Sequence, residues 1–223
     1  MKMLTTRRTA LLLFSHFALL AQTKAPLVII LLGPPGSGKS TQSEKITAAF
    51  GIPGVSTGAL LRGEVAAGTP LGKRIDSDMR KGALIRDEIV NDLVAARFAK
   101  PDAARGLILD GYPRTVEQAR FLDELLARHK SGDPLVLNLT VTKEEVLKRM
   151  GSRRRADDTP EVIAERLAVY NKETKPLLDH YAARGVKNFD ASGAPEAVFD
   201  KIRATINGYS RPAQPDRPGR APQ

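Results

Sequence analysis

The stretch Leu27–Thr41, LVIILLGPPGSGKST, constrains this chain more than any other. Its first six residues are apolar with β-branched residues in the middle, and Gly33 and two prolines bound them, which predicts a strand buried on both faces. Gly33, Gly36, Gly38, Lys39 and Ser40 then fit G-x-x-x-x-G-K-[ST], with a helix beginning near Lys39. Glycines at that spacing let backbone N–H groups wrap a phosphate, while the lysine reaches the β/γ-phosphates and the hydroxyl holds Mg²⁺. The pattern predicts ATP-type phosphates held by Gly36, Ser37, Gly38, Lys39, Ser40 and Thr41.

The composition narrows the remaining classes. At 223 residues and 42% hydrophobic, the chain suits one α/β domain with small insertions. It has no cysteine, so disulfides, Cys-ligated zinc and thiol catalysis are excluded, and His16, His129 and His180 stand at no metal-ligand spacing. The formal charge of +10 raises the question of nucleic acid, but residues 1–25 carry +4 and the residues from Tyr209 carry +2, leaving +4 between them. No nucleic-acid partner is expected from so thin a spread.

Both ends read as appendages. Residues 1–25 have a basic start and an uncharged run, Ala10–Ala21, as long as a signal-peptide core and too short to span a bilayer. The cleavage pattern before Ala21 is incomplete, with Leu19 at the small position, and His16 interrupts the run. The expectation is a cytoplasmic protein with no membrane partner, with export, or a later non-Met start, as alternatives. Residues 209–223 are Pro-rich and are expected to be a disordered tail, which leaves residues 26–208 as the domain.

Between the ends, strands alternate with helices. Helices are predicted over 40–50, 59–67, 70–81, 86–100, 115–130 with a Thr115 cap, 142–150 and 195–206, and one long helix over 160–184 kinked near Pro176. Further strands are predicted over 106–110, 135–141 and 188–191. The basic stretch Gly151–Asp158 breaks the pattern. Such alternation implies a parallel sheet covered on both faces.

Asp110 ends its strand with Gly111 behind it, where a carboxylate faces the mouth of the phosphate loop and holds Mg²⁺ partly through water. Its bland alternative is a strand-end aspartate capping a turn. Tyr112, Pro113, Arg114 and Gln118 come next.

Here a resemblance becomes specific. Asp110–Arg114, DGYPR, resembles the DG[FY]PR signature of the adenylate kinase family, and Val55–Arg62, VSTGALLR, resembles that family's monophosphate segment, usually STGDLLR. Arg149, Arg155 and Arg166, with Asp157 and Asp158 between, repeat the spacing of its short-lid members. With the phosphate loop and GALIRDEIV, the likeness runs from about Leu27 to Gly208. It implies an α/β fold with a P-loop NTPase-type five-stranded parallel sheet flanked by helices, an AMP-binding flap at about 56–85 and a short lid at about 150–158. It also implies a monomer that interconverts ATP plus AMP with two ADP, using Mg²⁺ carried with ATP.

By the same resemblance, Arg62, Arg114, Arg155 and Arg166 contact the AMP phosphate or the transferring group, Arg149 contacts ATP, and Asp157 supports the lid. Thr57, the backbone at Ala83, Leu84 and Ile85, and Gln118 surround the AMP base. Gly111, Tyr112 and Pro113 join Arg114 on the AMP side, and Gly193 lies near the ATP adenine. Catalysis is implied for Lys39, Arg114, Arg149, Arg155, Arg166 and Asp157.

The chemistry agrees with those residue types. An AMP phosphate is already largely dianionic at pH 7, with a second pKa of about 6, so transfer needs neutralisation and alignment rather than a general base. Arginine's planar fork meets phosphate oxygens two at a time and keeps its charge. Without the resemblance, Thr57 is a helix cap, Gln118 an exposed helix position, Arg166 with Asp157 a surface ion pair, and Arg149 with Arg153–Arg155 a solvated basic run. Ala59 replaces the family's usual Asp and Arg86 a common Pro, which bear on a helix start and on hinge stiffness. A UMP/CMP kinase and a nucleotide-binding regulator without turnover are the other readings.

Overall fold

β1 (Leu27–Leu32) is buried along its whole length because it occupies the centre of a five-stranded sheet, between β3 (Gly106–Asp110) and β4 (Leu135–Thr140). β2 (Gly54–Ser56) and β5 (Lys187–Asp190) form the edges, in the order β2-β3-β1-β4-β5 with every pairing parallel. The computed structural model describes residues 25–152 and 158–209; residues 1–24, 153–157 and 210–223, with the expected extension, most of the lid and the tail, lie outside the described residues.

Alternate residues of the strands feed two cores. Val28, Ile30, Leu107, Leu109 and Val136 face α4 (Asp87–Phe98) and α5 (Val116–Arg128), which add Val94, Leu122 and Leu126. Ile29, Leu31, Ile108, Leu137 and Leu139 face α1 (Lys39–Phe50) and α9 (Pro195–Gly208), which add Ile46, Val198 and Ile202. At about 1.5–3 kcal/mol for each fully buried aliphatic side chain, these two layers supply the main drive to fold and hold the strand ends in place beneath the site.

Beyond β2, α2 (Thr57–Ala66) and α3 (Pro70–Lys81) pack together over the span expected to form the flap. Thr69 caps α3 by accepting from the Gly72 N–H at 2.9 Å, Pro70 occupies its first turn, and Gly82 ends it. A Cβ on Gly72 would lie 2.0 Å from the Glu64 carbonyl oxygen, so only glycine lets the two helices approach this closely. α6 (Lys143–Ser152) and α7 (Pro160–Val169) flank the lid segment.

The expected long helix over 160–184 is instead broken into pieces. After α7, Tyr170–Thr174 forms a π-helical turn, then come α8 (Leu177–His180) and a short 3₁₀ turn, Ala182–Arg184. Pro176 has no N–H and its ring crowds the carbonyl four residues back. The chain answers one turn earlier, widening so that the Lys175 N–H bonds the Tyr170 carbonyl at 2.8 Å. Thr174 is thereby turned to donate its hydroxyl to the Arg114 carbonyl at 2.9 Å.

Candidate active site

A cleft of about 560 Å³ opens where β1, β2 and β3 end, bounded by the phosphate loop on one side and the flap on the other. Gly38, with φ of 93°, turns the chain from loop into α1 without any side-chain cap, which leaves the first N–H groups of the helix aimed at whatever the loop encloses. The motif's first glycine has a packing reason: a Cβ on Gly33 would lie 2.4 Å from the Leu139 carbonyl oxygen, so β4 closes directly against the loop.

Lys39 folds onto this loop, donating from Nζ to the carbonyls of Gly33 at 2.8 Å and Pro34 at 2.9 Å. Ser40 donates its hydroxyl to Asp110 Oδ2 at 2.6 Å, and Asp110 is only 4% exposed. A buried carboxylate beside a hydroxyl is an all-oxygen donor pair that suits Mg²⁺. Among the described residues no group of three or more His, Cys, Asp or Glu side chains is placed to hold a metal. The pair therefore fits an ion that arrives with phosphate oxygens completing its shell, the usual habit of Mg²⁺.

Opposite the loop, three guanidinium groups converge. The position a Gly58 Cβ would take lies 3.3 Å from Arg62 Nη1 and 3.5 Å from Arg114 Nη2. Burial lowers the Arg114 pKa from its ordinary value; Asp110 opposes that shift, while the charges of Arg166 and Arg62 add to it. Like charges this close repel, and a phosphate dianion among them would relieve the repulsion. Arg166 is ion-paired with Asp158, with side chains 17% and 2% exposed. Arg149 donates from Nε to Glu145 at 2.7 Å and from Nη2 to the Ala191 carbonyl at 2.9 Å, bringing it to the loop that carries Gly193.

Most of the sequence-predicted residues meet on this cleft. Gly36, Ser37, Gly38, Lys39, Ser40 and Thr41 line one side; Thr57, Arg62, Ala83, Leu84 and Ile85 line the flap side. Asp110, Gly111, Pro113, Arg114 and Gln118 form the floor, and Arg149, Arg166 and Gly193 stand at the margins. Tyr112 does not join them: it is fully buried behind the floor, where its hydroxyl bonds Asn91 Oδ1 at 2.7 Å. Arg155 and Asp157, with Arg153 and Arg154, fall outside the described residues.

Two bland alternatives give way. Ser56, not Thr57, caps α2, accepting from the Ala59 N–H at 3.4 Å, so the helix start survives without the family's usual Asp. Thr57 is 2% exposed and donates to the Gly111 carbonyl at 2.8 Å. Gln118 is 1% exposed rather than on the surface; its Oε1 accepts from the Arg114 N–H at 2.7 Å and its Nε2 donates to Asp87 Oδ1 at 2.7 Å. Asp87 and Asp158 are residues to which the sequence alone assigns no role. The signal is faint, since Asp87 opens a helix, where a carboxylate needs no further reason.

The adenylate kinase family model matches residues 31–186. The chain is 47% identical over 178 residues to the adenylate kinase of Mycolicibacterium smegmatis, a match covering 80% of this chain and 98% of that protein. It is 45% identical over 185 residues to the adenylate kinase of Stenotrophomonas maltophilia, covering 80% and 98% respectively. With the phosphate loop, the DGYPR turn and the clustered arginines around one cleft, these matches are decisive: the chain belongs to the adenylate kinase family.

Proposed function

We propose that the chain is an adenylate kinase that moves the γ-phosphoryl group of ATP reversibly onto AMP, giving two ADP. The observation that carries this reading is the convergence of Arg62, Arg114 and Arg166 across one cleft from the phosphate loop, so that two phosphate chains would meet end to end. In this reading the loop N–H groups and Lys39 hold the ATP phosphates, with Lys39 trading its two loop carbonyls for phosphate oxygens. Ser40 and Asp110 hold Mg²⁺, which when bound neutralises charge on the β- and γ-phosphates. The arginines hold AMP so that its phosphate oxygen attacks in line, and no side chain needs to remove a proton.

Thr57, Gln118 and the backbone at Ala83–Ile85 surround the AMP base, and Arg155 and Asp157 complete the lid, in keeping with the resemblance. Closure of flap and lid keeps water from taking the phosphoryl group. The protein acts as a monomer in the cytoplasm, without nucleic-acid or membrane partners. Among the described residues no helix is long and apolar enough to cross a membrane.

A coupled assay of purified protein with MgATP and AMP, CMP, UMP or GMP tests this. Turnover highest with AMP is expected. A preference for CMP or UMP, or no turnover with any of the four, overturns the assignment.

A further inference from the structure

Gln118 stands in the part of the cleft assigned to the base, and its amide is held at both ends. Oε1 accepts from the Arg114 N–H at 2.7 Å, and Nε2 donates to Asp87 Oδ1 at 2.7 Å. A backbone N–H only donates and an ionised carboxylate only accepts, so a flipped amide would set donor against donor and acceptor against acceptor. The other Asp87 oxygen, Oδ2, takes the Thr115 hydroxyl at 2.7 Å, and that hydroxyl accepts in turn from the Gln118 N–H at 3.1 Å. Asp87 thus grips both the side chain and the helical turn that present one amide. Gln118 is 1% exposed, so these protein groups set the direction of its amide.

The held amide keeps one N–H and one oxygen lone pair uncommitted. Adenine offers a 6-amino donor beside an N1 acceptor. Guanine offers the reverse, a 6-oxo acceptor beside an N1 donor. With the phosphate fixed by the arginines, the base arrives in one orientation, so the amide's direction decides which edge it meets as a partner and which as a clash.

Resting on the adenylate kinase reading above, we infer that Asp87 is the positioning residue that makes this pocket discriminate 6-amino from 6-oxo purine monophosphates by locking the Gln118 amide. Asp87 touches neither base nor phosphate; it acts through Gln118. Cytosine shares adenine's donor and acceptor order, so Asp87 bears on the choice between AMP and GMP far more than on that between AMP and CMP.

The test is kcat/KM for AMP, GMP and CMP in the wild type, Asp87→Ala, Asp87→Leu, Gln118→Ala and the double variant Asp87→Ala with Gln118→Ala, with thermal melting to establish folding. The AMP:GMP ratio is expected to fall about tenfold in Asp87→Ala, with a much smaller change in AMP:CMP. In the Gln118→Ala background, Asp87→Ala should change neither ratio further. If Asp87→Ala does not fold, Asp87→Leu, close in shape and without any acceptor for Gln118 Nε2, decides, with the same direction of change expected. An unchanged AMP:GMP ratio in a folded variant overturns the inference, as does a fall that persists without Gln118; a merely structural role would weaken all three monophosphates alike. Wild-type protein that leaves AMP unphosphorylated would instead sink the adenylate kinase reading itself.

Discussion

The Ser40 hydroxyl lies 2.6 Å from Asp110 Oδ2, tying the start of α1 to the end of β3 across 70 residues of sequence. The carboxylate ends a fully buried strand and the hydroxyl begins a helix, and their hydrogen bond orders both oxygens before a cation arrives. Asp110→Asn keeps the shape and the hydrogen bond but removes the charge. Turnover with MgATP should fall about 100-fold, and the Mg²⁺ concentration for half-maximal activity should rise. EDTA should abolish turnover in the wild type and leave its melting temperature unchanged, because both cores are apolar. A melting transition that shifts with the chelator would show a structural ion.

Lys39→Met should lower kcat by about 100-fold or more, since it removes a charge aimed at the transferring phosphates. The structure adds a cost that the motif does not foretell. The Gly33 carbonyl loses the Lys39 donor and the Pro34 carbonyl is left with the Ser37 N–H alone, so the free enzyme should also melt a few degrees lower. Circular dichroism melting and a coupled assay check both halves; near wild-type turnover would refute the role given to the loop.

Arg86 has φ of −48°, close to the value proline imposes, and comes after a non-helical residue. Its 3.3 Å ion pair with Glu88 is between exposed groups and contributes little. Arg86→Pro should therefore raise stability by about 0.4–1 kcal/mol by narrowing the unfolded ensemble. Urea denaturation measures this, and a lower midpoint would count against a backbone already fitted for proline.

Gly72→Ala should destabilise by about 1–3 kcal/mol, because the new methyl meets the Glu64 backbone rather than a side chain that can turn aside. As α2 carries Arg62, the KM for AMP should rise more than that for ATP. Equal effects on the two would mean that the flap does not serve the AMP side alone.

The parts of this fold that could be read from sequence are those whose local pattern and tertiary setting agree. β1, β3 and β4 are continuous apolar runs because helices cover both of their faces. β2 has three residues with only Val55 buried, too little to show a period, whereas β5, which buries only Phe189, is still met where a strand over 188–191 is expected. The motif residues are legible in the same uneven way. Gly33 to Ser40 and Arg114 stand out by their spacing, but a motif does not say which way each member points. Tyr112 lies within the signature and yet faces the core. Asp87 is hidden for the opposite reason, since its partners at 115 and 118 come from another helix and no local pattern reports them.

The π-helical turn at Tyr170–Thr174 amounts to one surplus residue in a helical path. One residue turns a helix by about 100°, so the surplus resets the phase between the helical turns on its two sides. Upstream, the path presents Ile163 to the small core it shares with Val146 and Met150, and Arg166 to the cleft. Downstream, Leu177 and Tyr181, both fully buried, enter the large core beside α5. A uniform α-helix through these positions would keep one of those faces in register and swing the other toward solvent. The wide turn lets a single continuous stretch of chain serve a polar margin and an apolar interior that do not share a helical period.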